Sequence, residues 1–216
     1  MASDTYGRQL IQLVANAEHE VIVIAPFLTL PPVKRVLDAC PPDVRFTLVG
    51  RFRPEDVRAG VCSLEAAELV LERGHMLEVR ANPLLHGKLY RADDECLVGS
   101  ANLTLKGLGW AQASNVELLL PMKLTPTIER FEEIVLSRSE LLTQAAIRDI
   151  RARARDLPDL VAAPSEEEPL PEVQSWLPAC YTPEKLYDVY SGENEKRILE
   201  SAAAAARADL DYLRPV

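Results

Sequence analysis

The segment Glu20–Phe27, EVIVIAPF, is a nearly continuous apolar run of strand length. A strand with one wet face alternates polar and apolar residues, so a run without alternation needs cover on both faces. The flanking sequence supplies that cover. TYGRQLIQLVANA (5–17) sets Leu10, Ile11, Leu13 and Val14 at helical spacing, with Asp4 as its cap. PPVKRVLDAC (31–40) reads as a short helix entered through prolines, and VRFTLVG (44–50) as a second strand. RPEDVRAGVCSLEAAELVLERG (53–74) reads as a long helix, irregular at Gly60 and closed at Gly74; HMLEVRA (75–81) is a third strand. This order, αβαβαβ, predicts an α/β fold: a mixed, largely parallel sheet flanked by helices.

The pattern then changes. GKLYRA and ECLVGSA form two short strands joined by the acidic turn Asp93–Asp94, which predicts a hairpin. SNVELLLPM (114–122) is a further strand. TPTIERFEEIVLSRSELLTQ (125–144) is an amphipathic helix with Ile128, Phe131, Ile134, Val135 and Leu142 on its apolar side, continued or restarted as 145–156. From Leu157 the composition shifts to Pro, Glu and small residues. The expected organisation is a catalytic domain over 1–156, a Pro/Glu-rich linker over 157–181 and a C-terminal helical extension over 182–216.

The formal charge of −9 is uneven: 12 of the 33 acidic and 5 of the 24 basic residues fall in 157–216, a net of −7. Residues 1–156 therefore carry only −2, which leaves room for a basic groove and a nucleic-acid substrate. No run of 18 apolar residues is present, so no membrane-spanning helix is expected. The N-terminus lacks a secretion pattern, and Cys40, Cys62, Cys96 and Cys180 are scattered without a CxxC pair. Both features point to a cytoplasmic protein with reduced thiols.

HGKLYRADDECLVGSAN (86–102) carries the chemistry. His86 and Lys88, two apart on a strand, share a face. The hairpin brings Ser100 and Asn102 alongside, and NVE places Asn115 and Glu117 on one face of the next strand. An imidazole, a cation, neutral polar groups and a carboxylate suit attack on a phosphate. A neutral His86 is the nucleophile, Lys88 neutralises phosphoryl oxygens, and the carboxylate orients the histidine. No carboxylate cluster suggests a metal, and no cofactor is expected. Five specified positions, His86, Lys88, Gly99, Ser100 and Asn102, at an average usage near 5% give a chance match of roughly 10⁻⁶ to 10⁻⁷ per start position. An ordinary strand histidine beside a Gly-Ser turn is therefore a poor account of them.

HGKLY…LVGSANLTLKGLGWAQASNVELLL resembles the HxK…GSxN signature of the phospholipase D superfamily, and VIVIAPF resembles that family's first strand. The similarity covers about residues 5–140. It implies a covalent phosphohistidine at His86, with Lys88 and Asn102 binding phosphoryl oxygens and Ser100 hydrogen-bonding at the same site. It also implies that Glu117 fixes a histidine tautomer. A second histidine, from a second motif, protonates the leaving oxygen in the family. The family's aspartate is present as Asp93, but five residues separate it from Gly99 where six are usual, so Asp93 is expected to be structural.

His19 and His75 have no lysine two places on, so neither supplies a second motif. A homodimer with one shared active site is therefore expected, with a heterodimer as the lesser option. Arg51 and Arg53 follow the second strand, where open α/β sheets put ligand loops. They, Lys106 and Trp110 are candidate substrate contacts. The arginines Arg148, Arg151, Arg153 and Arg155 read as a solvated helix face or a backbone track. The expected activity is a metal-independent phosphodiesterase, a nuclease on DNA or RNA, as in bacterial restriction and phage-defence components that the family includes. A lipid-acting phospholipase D and a non-catalytic subunit binding nucleic acid or, through 157–216, a protein partner are the rivals.

Overall fold

The computed structural model describes residues 5–74 and 76–158, together with 206 and 207. The chain divides into two units, Met1–Val161 and Ala162–Val216, and the elements below belong to the first. His75 and nearly all of the expected linker and C-terminal extension lie outside the described residues.

In chain order the elements are α1 (Thr5–Ala15), β1 (Glu20–Ile24), α2 (Leu30–Ala39), β2 (Arg45–Gly50), α3 (Pro54–Arg58), α4 (Leu64–Glu72) and β3 (Leu77–Ala81). Then come β4 (Leu89–Ala92), β5 (Glu95–Gly99), β6 (Leu119–Lys123), α5 (Pro126–Ser137), β7 (Glu140–Leu141) and α6 (Gln144–Asp156). The strands form one mixed sheet in the order β6-β5-β4-β1-β2-β3-β7. The αβαβαβ half makes its parallel part, β1–β2–β3. The expectation of a largely parallel sheet extends no further, because β4, β5, β6 and β7 all pair antiparallel. A two-residue turn such as Asp93–Asp94 is too short for the crossover that a parallel pair requires.

β1 has β4 and β2 as its neighbours, and Val21, Ile22, Val23 and Ile24 are all buried, as its unbroken apolar run requires. Fully burying each such side chain is worth about 1.5–3 kcal/mol. One face packs Val21 and Val23 with Leu10 and Val14 of α1, Val33 and Val36 of α2 and Val70 of α4. The other packs Ile22, Ile24 and Leu89 with Ile128 and Val135 of α5.

Three expected elements are shorter than their sequence patterns. The helix over 53–74 is two, α3 and α4: Gly60 adopts φ 70, and Ser63 starts α4 by accepting a hydrogen bond from the Ala66 amide. The helix over 125–144 ends at Ser137. Residues 140–141 pair with β3 as an added edge strand, and Thr143 caps the new helix α6. Of its expected apolar side, Ile134 is exposed, and Leu142 is buried in the core on the opposite side of the sheet, beyond the helix. The strand over 114–122 begins only at Leu119, so Asn115 and Glu117 stand in the segment leading into it.

Register fixes where chemistry can be placed. Ile24 pairs with both Val49 and Leu89, Leu89 with Val98, Gly50 with Ala81, and Gly99 with Leu119. The ends of β1, β2, β3 and β5 and the starts of β4 and β6 thus meet at one sheet edge. Open α/β sheets bind ligands beyond the carboxyl ends of their parallel strands, and this is that edge.

Candidate active site

His86 and Lys88 lie in the segment that enters β4, just short of the ladder rather than within it. Buried Asn82 at the end of β3 organises that segment. Its amide nitrogen donates to the Val135 carbonyl of α5 at 3.3 Å, and its side-chain oxygen accepts from the Leu84 amide at 3.1 Å. The Asn82 carbonyl accepts from Leu85, the residue before His86, whose side chain is buried. Gly87 between the pair is needed for packing, since a Cβ there would lie 2.5 Å from the Phe131 ring of α5. The His86 ring is exposed, and the Lys88 ammonium donates to the His86 carbonyl at 2.9 Å.

Ser100 and Glu117 meet across the β5–β6 pairing. The Ser100 hydroxyl donates to the Glu117 carboxylate and accepts from the Leu118 amide at 3.0 Å. The Ser100 amide donates to the Leu118 carbonyl at 2.8 Å. Asn115 donates to the second Glu117 oxygen at 3.1 Å, and Tyr6 of α1 donates to the Glu117 carbonyl at 2.9 Å. Gly99 is obligatory, because a Cβ there would sit 1.9 Å from the Leu118 carbonyl oxygen. Tyr90 is fully buried and donates to the Ala101 carbonyl at 2.8 Å, tying β4 to the Ser100–Asn102 turn. One terminal atom of the Asn102 amide, Oδ1, is buried and makes no hydrogen bond.

Burial lowers the Lys88 pKa and the Arg51 charge acts in the same direction; the Glu117 charge opposes both. Burial, then the Glu117 charge, raises the Tyr90 phenol and keeps it protonated. The cations and the carboxylate therefore share one field. Glu117 spends its two oxygens on Ser100 and Asn115, and the His86 ring makes no hydrogen bond among the described residues.

Asp93 stands apart, at the opposite end of β4. Its carboxylate accepts from the backbone amides of Glu18, His19 and Glu20 at 2.7, 3.0 and 2.9 Å, and its φ is 50. Arg51 and Arg53 both bind buried Asp56, and Arg51 stacks on Phe27 at 4.6 Å. Lys106 lies in a tight turn closed by bonds from Gly109 and Asn115 to its carbonyl. Trp110 packs against Gly7 with the Arg35 guanidinium 4.7 Å over its ring, the placement of an anchor for that loop. Arg151 pairs with Glu68 of α4, and Arg153 lies 3.6 Å from Asp149. Sequence reasoning missed Asn82, Asp56, Tyr6 and Tyr90. Each acts on a residue distant in the chain or across a turn, and only a polar residue beside a strand end hinted at them.

Among the described residues no group of three His, Cys, Asp or Glu side chains is placed to hold a metal ion. No helix among them is long and apolar enough to cross a membrane.

No protein-family model and no curated protein matches the chain. Solved structures do. A phospholipase D family member, Nuc from Salmonella typhimurium, superposes with TM-score 0.54 at 18% identity, covering 66% of this chain and 94% of that one. NucT from Helicobacter pylori gives TM-score 0.51 at 15% identity over 65% of this chain and 92% of its own. Phosphatidylserine synthase from Haemophilus influenzae Rd KW20 gives 0.53 at 16% identity over 72% of this chain but 42% of its own. At these identities the matches show the fold, and the fold is that of the phospholipase D proteins.

Proposed function

We propose that the chain is a phosphodiesterase of the phospholipase D superfamily, and specifically a nuclease that works through a covalent phosphohistidine at His86. The observation that carries this reading is the gathering of His86, Lys88, Ser100, Asn102 and Glu117 at one edge of a phospholipase D fold. In the first step an imidazole nitrogen of His86 attacks phosphorus; a P–N bond forms as the P–O bond to the leaving group breaks. Lys88 and Asn102 hold the phosphoryl oxygens, whose charge develops in that step. A proton passes to the leaving oxygen from a second histidine. Water then attacks the phosphohistidine, giving its proton to that same residue and releasing His86.

The second histidine comes from a second copy of the chain, in a homodimer with a shared site. His19 does not fill the role: its amide lies on Asp93, at the far end of β4 from the motif. The excess negative charge of residues 157–216 suits contact with a protein partner rather than with nucleic acid. Lys88 supplies the positive charge of the mechanism, which calls for no metal ion.

The test is incubation with labelled single- and double-stranded DNA and RNA in EDTA, with His86→Ala alongside. Cleavage is expected to persist in the chelator, and His86→Ala to lose several orders of magnitude of rate while staying folded. Complete loss in EDTA with rescue by magnesium, or more than about a tenth of the rate in His86→Ala, overturns the reading.

A further inference from the structure

Beside the motif residues the same sheet edge holds a second built cation. Arg51 follows the last residue of β2, and its guanidinium is fixed on two sides. Asp56, 5% exposed, accepts from Nε at 2.6 Å and Nη2 at 2.5 Å, while the Phe27 ring lies 4.6 Å beneath the plane. Asp56 also accepts from Arg53 at 3.1 Å, so the three groups sum to one positive charge. The Nη1 edge of Arg51 makes no hydrogen bond among the described residues. Between the two arginines Phe52 is buried in the left-handed region, φ 45, a conformation that bulky side chains avoid and that is characteristic of functional loops. Phe27 is joined to the motif as well, since its carbonyl accepts from Leu103, the residue after Asn102, at 3.1 Å.

The strand order β4-β1-β2 sets Lys88 and Arg51 two strand spacings apart, about 10 Å, along one edge. We propose that Arg51, held by Asp56 and Phe27, forms a second anion subsite that engages the phosphate next to the scissile one in a polynucleotide chain. This rests on the nuclease reading above and deepens it. A guanidinium with its Nε side already spent keeps two N–H groups for one further phosphate, and its fork loses little freedom on binding. The charge of Arg51 already lowers the Lys88 pKa, as expected of two cations facing one polyanion. A diester with a single phosphate leaves this subsite unused, so the device discriminates polynucleotides from simple phospholipids.

The experiment compares wild type, Arg51→Ala and Arg51→Lys on two substrates in the full chain. One is a labelled single-stranded oligonucleotide; the other is bis(p-nitrophenyl) phosphate, which has one phosphorus. For Arg51→Ala the oligonucleotide KM is expected to rise about tenfold more than the KM for the small diester. The log–log salt dependence of oligonucleotide binding, read by anisotropy without turnover, should flatten by about 0.7, one phosphate contact on a single strand. Arg51→Lys retains a charge to pair with Asp56 and covers the case in which Arg51→Ala fails to fold. It should keep the salt slope and show a smaller KM split in the same sense. Equal losses on both substrates, or no change on either, overturn the proposal. A wild-type protein that hydrolyses the small diester yet neither binds nor cuts any oligonucleotide removes the nuclease reading itself, and that result is seen before any variant is compared.

Discussion

Asp93, expected from the resemblance to stand for the family's aspartate, has a carboxylate that faces the backbone of residues 18–20 rather than any reacting group. The shortened spacing to Gly99 made a structural role legible in the sequence. The partners were not legible, because they lie some 75 residues away across the β1–β4 pairing. Burial raises the Asp93 pKa, but the three amide hydrogen bonds outweigh it, and the net direction is down. A carboxylate with a lowered folded pKa stabilises the fold above its unfolded value, near 3.9, and loses that contribution as pH falls through the folded value. Asp93→Ala should therefore cost roughly 2 kcal/mol at pH 7, counting charge-assisted bonds and the positive φ that alanine tolerates poorly. Asp93→Asn, which keeps an acceptor and tolerates that φ, should cost less. The gap between wild type and Asp93→Ala should narrow as pH falls below about 4, down to the part set by the positive φ, in urea titrations at stepped pH. A gap that widens on acidification would mean the carboxylate is not what stabilises the loop.

At the scale of elements, the helix α5 shows how far periodicity reaches. Ile128, Phe131 and Val135 were legible as its core face, and they pack on the sheet. Ile134 was assigned to that face and is exposed, because the helix stops at Ser137 and lies on the sheet by a narrower stripe. Nothing in the periodicity marks Glu132, which the pattern puts on a polar face. In the fold it accepts from the buried Arg91 of β4 at 2.7 and 3.0 Å, while Arg91 also binds Glu20 of β1 at 2.8 Å. This pairing crosses from helix to sheet, so only tertiary packing creates it. Removing one partner of a buried ion pair leaves an uncompensated charge, and Glu132→Ala should destabilise by about 3 kcal/mol even with Glu20 in place. Replacing both groups, Arg91→Met with Glu132→Leu, should recover most of that loss, since well-packed apolar groups substitute for buried pairs at little cost. Thermal denaturation of the two variants decides. If the double variant is less stable than Glu132→Ala, the Arg91 contacts to Glu20 and to the Asp93 carbonyl, rather than the helix–sheet pair, hold this corner.

At the scale of the molecule, the candidate site is half a site for the proposed chemistry, and the surface beside it is apolar. The edge strand β6 and the residues before it expose Val116 fully, Leu118 at 57%, Leu120 at 49% and Met122 at 42%. Leu120 and Met122 pair with Val98 and Cys96, so they share the α5 side of the sheet, and Leu118 bonds directly to Ser100. The motif count led to the expectation of a second histidine. The surface that would deliver it was not, because strand periodicity in ELLLPM does not say which leucines a helix will cover. Contiguous apolar groups of this kind mark interaction surfaces. A two-fold axis through the patch would make it self-complementary and carry the partner's motif to the same phosphorus. Leu120→Glu together with Met122→Glu should therefore give a folded monomer by sedimentation equilibrium, with hydrolysis reduced at least a hundredfold on the small diester and the oligonucleotide alike. Met76→Glu, an equally exposed apolar site at the far end of β3, should leave both mass and rate unaltered. A wild-type chain that is monomeric and active would sink the shared site. A dimer that survives the double substitution would move the interface elsewhere. A double variant that is monomeric yet fully active would show that the one histidine of each chain suffices, and that the proton for the leaving oxygen comes from within it.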